Sequence, residues 1–222
     1  ADNGTTLVGT YTVSAGDNSN DLTVSSFSIG TVTDIAGNAM ADTTVPDTNI
    51  ASGSAIVIDT TAPTITSFTS TTNNGSYISD DTVNITATAS EAVVATNTIT
   101  ATLDTSDNVT LTAADNGTTL VGTYRVSAGD NSNDLTVSSF SIGTVTDIAG
   151  NAMDNTSVPG TNIASGSAIV IDTTAPTITS FTSTTNNGSY ISDDDVNITA
   201  TVYKSYVANN PLTVNLDKRD IL

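Results

Sequence analysis

The groups in this sequence able to do chemistry are carboxylates, and they recur in sets. Asp59 closes a short hydrophobic run, Asp80 and Asp81 follow the next turn, and Asp34 and Asn38 bracket an Asp-Ile-Ala-Gly-Asn loop. A second set holds Asp172, Asp193, Asp194, Asp147 and Asn151, with Asp195 as an added acid. Calcium takes about six to eight oxygen ligands, which Asp, Asn and backbone carbonyls supply. Several acids drawn together without Lys or Arg would repel one another unless a cation neutralised them. Each set is therefore a candidate metal site at a junction between structural segments. The competing reading is that Asp34 and Asp59 form turns by bonding to their own backbone.

Two weaker candidates accompany these. Asp17-Asn18-Ser19-Asn20-Asp21, repeated from Asp130 to Asp134, places oxygens at alternate positions like the start of an EF-hand loop. Leu22 and Leu135 stand where that loop needs Gly, and the distal Glu is missing, so a polar hairpin loop is the better reading. Paired carboxylates such as Asp80-Asp81 or Asp193 to Asp195 can hydrolyse glycosidic bonds. Here no Trp offers a platform for a sugar, and His and Cys are both absent. Ser-His-Asp and Cys-His catalysis, the usual zinc sites and disulfides are thereby excluded, and no enzyme activity is expected.

The charge balance points the same way. Twenty-three acids against 4 basic residues give a formal net charge of -19. Such a surface repels nucleic acid and anionic lipid, which need clustered Lys and Arg, and favours divalent cations. A Thr-, Ser-, Asn- and Asp-rich surface also keeps an extracellular protein soluble without binding anything. No apolar run approaches the roughly 20 residues of a membrane span, and no signal peptide is recognised. The pattern is already under way at Ala1, as expected of a processed protein or a piece of a longer one. Asn-X-Ser/Thr sequons stand at Asn3, Asn74, Asn84, Asn108, Asn116, Asn155, Asn187 and Asn197. They are numerous enough in this composition to arise by chance.

The elements that must position these carboxylates repeat. Ala1 matches Ala114, Tyr11 matches Tyr124, Asp34 matches Asp147 and Pro63 matches Pro176, an offset of 113 residues. From Ala1 to Thr88 only six positions differ, among them Thr12 against Arg125, Asp47 against Gly160 and Thr82 against Asp195. A period this long is a domain and not a solenoid turn. After Thr201 the match weakens but continues through Val207, Ala208, Thr213, Leu216, Asp217 and Asp220, in a tail that holds three of the four basic residues. The expected organisation is the back part of a domain at 1–61, a complete domain at 62–174 and the front part of another at 175–222. The two parts together lack only a counterpart of Thr110 to Ala113. They are expected to be completed by neighbouring copies, to fold back on each other, or to belong to a longer repeat.

Within one repeat, apolar residues alternate over short β-branched segments: Ile65 and Phe68; Val83, Ile85 and Ala87; Ile99, Ala101 and Leu103; Leu120, Tyr124 and Val126; Phe140 and Ile142; Ile169 and Ile171. Asn74-Gly75, Asn116-Gly117, Ala128-Gly129-Asp130 and Ala149-Gly150-Asn151 mark the turns. About seven strands per repeat predict an all-β chain of tandem antiparallel Greek-key β-sandwiches. The run Ala55 to Ile58, the joint Asp59 to Pro63 and the alternation after Ile65 read as strand, joint, strand.

The motifs YTVSAGDNSNDL, VTDIAGNAM, IDTTAPTI and VNITATASEAV, in this order, resemble the bacterial immunoglobulin-like repeats of large cell-surface and biofilm adhesins. The resemblance covers all but roughly the last twenty residues. It implies immunoglobulin-like domains strung end to end at the cell surface, with calcium stiffening the junctions. Glycine-rich nonapeptide calcium repeats, a cell-wall anchor signal and a lectin-like module are not seen in the sequence. The function expected is that of an extracellular stalk or head-to-tail filament whose partners are copies of itself, by strand complementation. The alternative is an adhesin module whose loops hold a glycan or surface ligand, with Tyr11/Tyr124 or Tyr77/Tyr190 as lining candidates.

Overall fold

The computed structural model describes residues 4–205 and 212–217. Val207, Ala208, Lys218, Arg219 and Asp220 of the diverged tail, and Asn3, lie outside the described residues. The chain divides into two compact units, Ala1–Asp172 and Thr173–Leu222.

In the first unit the alternating segments become strands β1 (Ile65–Thr69), β2 (Gly75–Tyr77), β3 (Thr82–Ala89), β4 (Thr98–Leu103) and β5 (Asn108–Ala113), then β6 (Thr119–Arg125), β7 (Asn131–Ser132), β8 (Val137–Ile142) and β9 (Ile169–Asp172). β3 illustrates why. Val83, Ile85, Ala87 and Ala89 are buried while the Thr and Asn between them face outward, the period of two that a half-buried strand requires. Six strands form an antiparallel sheet in the order β1-β3-β6-β5-β4-β8, and β2-β9-β7 form a smaller one in which β2 and β9 run parallel. The short β2 and β7 account for the excess over the seven strands expected. A single core draws on both sheets, including Phe68, Ile85, Leu103, Leu120, Ile169 and Ile171. Each large aliphatic side chain so buried contributes about 1.5–3 kcal/mol. The architecture is all-β and compatible with a β-sandwich. No helix among the described residues is long and apolar enough to cross a membrane.

Residues 4–61 show what the same sequence does without its partners. Their turns and caps repeat those of residues 117–174. Asn49 caps a one-turn 3-10 helix (Ile50–Ser52) and bridges Val24 with two hydrogen bonds of 2.9 Å, as Asn162 caps Ile163–Ser165 and bridges Val137 at 3.0 and 2.8 Å. Yet no strand forms among the described residues of 4–61. The run Ala55 to Ile58, expected as a strand, is held only by a bridge between Ser19 and Ile58 and a bond from Leu22 N to Ile56 O. Its counterpart β9 is a strand because β2 and β7 flank it. Strand formation here is set by the neighbour and not by local propensity.

The second unit holds β10 (Ile178–Thr182) and β11 (Thr199–Val202), paired antiparallel. Their register repeats that of β1 and β3, down to the irregularity after the first residue: Ile65 faces Ala89 and Ser67 faces Thr88, as Ile178 faces Val202 and Ser180 faces Thr201.

Candidate metal centre

Asp147 sits in the turn after β8, where the sequence Asp-Ile-Ala-Gly-Asn folds around its first carboxylate. Gly150 N and Asn151 N donate to Asp147 Oδ1 at 2.7 and 2.8 Å, and Asn151 Nδ2 donates to Asp147 Oδ2 at 2.7 Å. Gly150 takes φ 101°, a left-handed conformation that suits Gly. A bridge to Val93 ties the turn to the segment after β3, and Asp147 is only 1% exposed.

Asp59 arrives at this turn from the preceding repeat. Asn151 Nδ2 also donates to the Asp59 backbone carbonyl at 3.0 Å, and Asp59 Oδ1 accepts from Thr61 N at 3.0 Å. The third member is Glu91, just past the end of β3. Ser90 N donates to Thr64 O at 2.8 Å and Thr64 N donates to Ser90 Oγ at 3.0 Å, which fixes Glu91 beside the Asp59–Pro63 joint. Carboxylate oxygens of Asp59, Glu91 and Asp147 all lie within 4.8 Å of one another. An open cleft lined by Asn18, Asn20, Val57, Asp59, Ser90 and Glu91 adjoins them.

Three carboxylates this close are electrostatically costly when all are ionised. Burial, then the charges of Asp59 and Asp147, hold the Glu91 carboxyl above the ordinary carboxylate range. The first unit has one basic residue, Arg125, and it pairs with Asp80 at 2.9 Å. The donor set is all oxygen and anionic, which fits a hard divalent cation and not a soft one.

The structure sorts the other sequence candidates. Asp80 and Asp81 precede β3 whereas Glu91 follows it, and eight residues of strand at about 3.3 Å each separate them. Asp81 instead accepts from Ile78 N at 2.8 Å, and Asp80 takes φ 77° in the same turn. In the second unit Asp193, at φ 72°, and Asp194, accepting from Ile191 N at 2.9 Å, rebuild that turn, with Asp195 exposed beside it. Asp172 closes β9, its backbone in register with Asn131.

Asp34 and Asn38 repeat the Asp147 turn, with Asn38 N and Nδ2 both donating to Asp34 at 2.8 Å. The acidic group that forms around Asp59 takes its Asp147 from the equivalent loop of the following repeat. Asp17 and Asp130 are turn residues. Asp130 Oδ2 accepts from Tyr124 OH and Ser127 N, both at 2.6 Å, and Asp17 accepts from Tyr11 OH and Ser14 N.

Glu91 is absent from the sequence-derived set, though it is the sole glutamate of the chain and follows the alternating run that ends at Ala89. No family model, no curated protein and no solved structure matches this chain.

Proposed function

We propose that this chain is a structural protein, in which immunoglobulin-like Greek-key sandwiches joined in tandem form an extracellular stalk, stiffened by calcium at Asp59, Glu91 and Asp147. The observation that carries the reading is that one acidic triad draws a ligand from the end of one repeat and two from the next. A cation there restrains the joint itself, because Pro63 fixes one backbone angle and the ion restrains the remainder. The sheet order β3-β6-β5-β4 supports the Greek key: β4, β5 and β6 are sequential antiparallel neighbours, and β3 lies beside β6 instead of β4. A near-exact internal repeat suits a spacer, in which more copies give more reach.

The test is calorimetric titration of the 222-residue chain with calcium, beside Glu91→Gln. One calcium site, weakened at least tenfold by the substitution and accompanied by slower hydrogen exchange across residues 59–63, is the result expected. Calcium binding that Glu91→Gln leaves unchanged, or no binding at millimolar calcium, removes the stiffened joint.

A further inference from the structure

We infer that Asn116 is a site of spontaneous modification, cyclising onto the backbone nitrogen of Gly117 and opening to aspartate or isoaspartate, while the like pair Asn74-Gly75 is protected by its sheet. The reaction needs neither calcium nor the stalk.

Asparagine is among the thermolabile residues, and a following Gly, with no Cβ, leaves its amide carbon open to the next backbone nitrogen. Gly117 N gives up its proton to water and bonds to Asn116 Cγ. The Cγ–Nδ2 bond breaks, and Nδ2 takes a proton from water and leaves as ammonia. Water then opens the cyclic imide at either carbonyl. One opening restores the normal backbone with an aspartate side chain, and the other routes the backbone through Cβ.

Two Asn-Gly pairs lie within residues 62–174, and both asparagines are exposed. Their amide oxygens are matched as well. Asn74 Oδ1 accepts from Ala168 N at 2.9 Å, and Asn116 Oδ1 accepts from Ala95 N at 2.8 Å. A backbone donor at that distance stabilises the negative charge that develops on the oxygen as the ring closes. The nucleophiles differ. Gly75 opens β2, and its N donates to Ala168 O at 3.0 Å. Ala168 therefore holds both reacting groups of Asn74-Gly75 through its own N and O, and the pairing of β2 with β9 opposes the rotation that ring closure needs. Gly117 lies in the turn between β5 and β6, and its N donates to no acceptor among the described residues. Loss of its proton breaks no hydrogen bond.

The product acts on the side of the domain that carries the acidic triad. Gly117 O accepts from Val93 N at 2.9 Å, and Ala95 N is the donor to Asn116 Oδ1, so the turn is tied to the segment that follows Glu91. In that segment Val94 N and Asn97 Nδ2 donate to Thr146 O, the neighbour of Asp147, at 3.0 and 3.1 Å. Conversion to aspartate adds a negative charge there. Conversion to isoaspartate adds a backbone atom to the turn and draws the accepting oxygen away from Ala95 N.

The test holds the purified 222-residue chain native in mildly alkaline buffer at physiological temperature for weeks, then maps peptic peptides by mass spectrometry in acid, which arrests the reaction. Amide loss at Asn116 at least tenfold faster than at Asn74 is expected, with isoaspartate among the products at position 116. In urea the two sites are expected to react at similar rates, because each Gly nitrogen is then free. Equal rates in the native chain, or faster loss at Asn74, overturn the inference. A tenfold gap that persists in urea assigns the difference to sequence and overturns protection by the sheet.

Discussion

Asn151 Nδ2 donates at once to the backbone carbonyl of Asp59, 92 positions earlier, and to the carboxylate of Asp147, at 3.0 and 2.7 Å. One amide thus ties a residue near the end of one repeat to a turn of the next. Asp147 is almost fully buried, and a hydrogen bond to a buried charged group is worth about 1.5–3 kcal/mol. Asn151→Ala is therefore expected to cost about that much in urea denaturation of the chain. Asn38→Ala removes only the side-chain bond to Asp34, in an exposed turn, and is expected to leave the midpoint in place. Equal effects at the two positions would mean that the Asn151 bonds act only within their own loop.

The aromatic pair gives a second contrast. Phe68 and Phe140 meet in the core, and truncating a buried Phe costs about 3–5 kcal/mol. Phe140→Ala should shift the denaturation midpoint by that amount. Phe27→Ala alters the identical local sequence where the ring is 39% exposed, and in dilute single chains its effect should stay within about 0.5 kcal/mol.

Glycine separates the two copies by a different mechanism. A Cβ on Gly122 would stand 2.3 Å from the Thr110 carbonyl oxygen and 2.7 Å from Leu111 Cδ2. The first is backbone of the adjacent strand and cannot swing away. Gly122→Ala is expected to destabilise by about 1–3 kcal/mol through overpacking. Gly9, its counterpart, has no atom within 4 Å of a built Cβ, and Gly9→Ala should be close to neutral. Thermal denaturation of the two variants side by side decides it.

These contrasts mark what the sequence carries and what it does not. The alternation of Val83, Ile85 and Ala87 placed β3 because burial of one face leaves a local trace. The Asp147–Asn151 turn was legible for the same reason, since its bonds close within five residues. Glu91 was not, because its approach to Asp59 depends on where β3 ends. Asp80 and Asp81 were grouped with Asp59 for their nearness in sequence, which takes no account of the strand that carries the chain away before Glu91. Residues 55–58 have the sequence of a strand and lack its flanking strands, a property of the surroundings that no local pattern records.

The turn between β4 and β5 sets a pH dependence. Asp107 Oδ2 is buried with no hydrogen-bond partner of normal geometry, beside the Tyr124 hydroxyl, which lowers the Asp107 pKa, and the Asp130 carboxylate, with which an acid can bond only by sharing a proton. Burial, then that bond and the Asp130 charge, raise Asp107 above the ordinary Asp range. Burial works to raise Asp130 as well, but hydrogen bonds from Tyr124, Ser127 N and Asp107 outweigh it and hold Asp130 below that range. The signs differ. An acid raised on folding binds its proton more tightly in the native state, so stability falls as pH rises from the unfolded Asp value, about 3.9, through the raised one. An acid lowered on folding contributes stability that is present above about pH 3.9 and lost as pH falls through its depressed value. The native protein should therefore be most stable in mildly acidic solution and lose stability on either side. Asp107→Asn supplies an amide donor to Asp130 without a titrating proton. It is expected to raise the urea midpoint at pH 7, flatten the descent between mildly acidic and neutral pH, and leave the acid limb of Asp130 in place. A variant less stable than the native chain at pH 7, with the descent unchanged, would show that Asp107 and Asp130 do not share the proton.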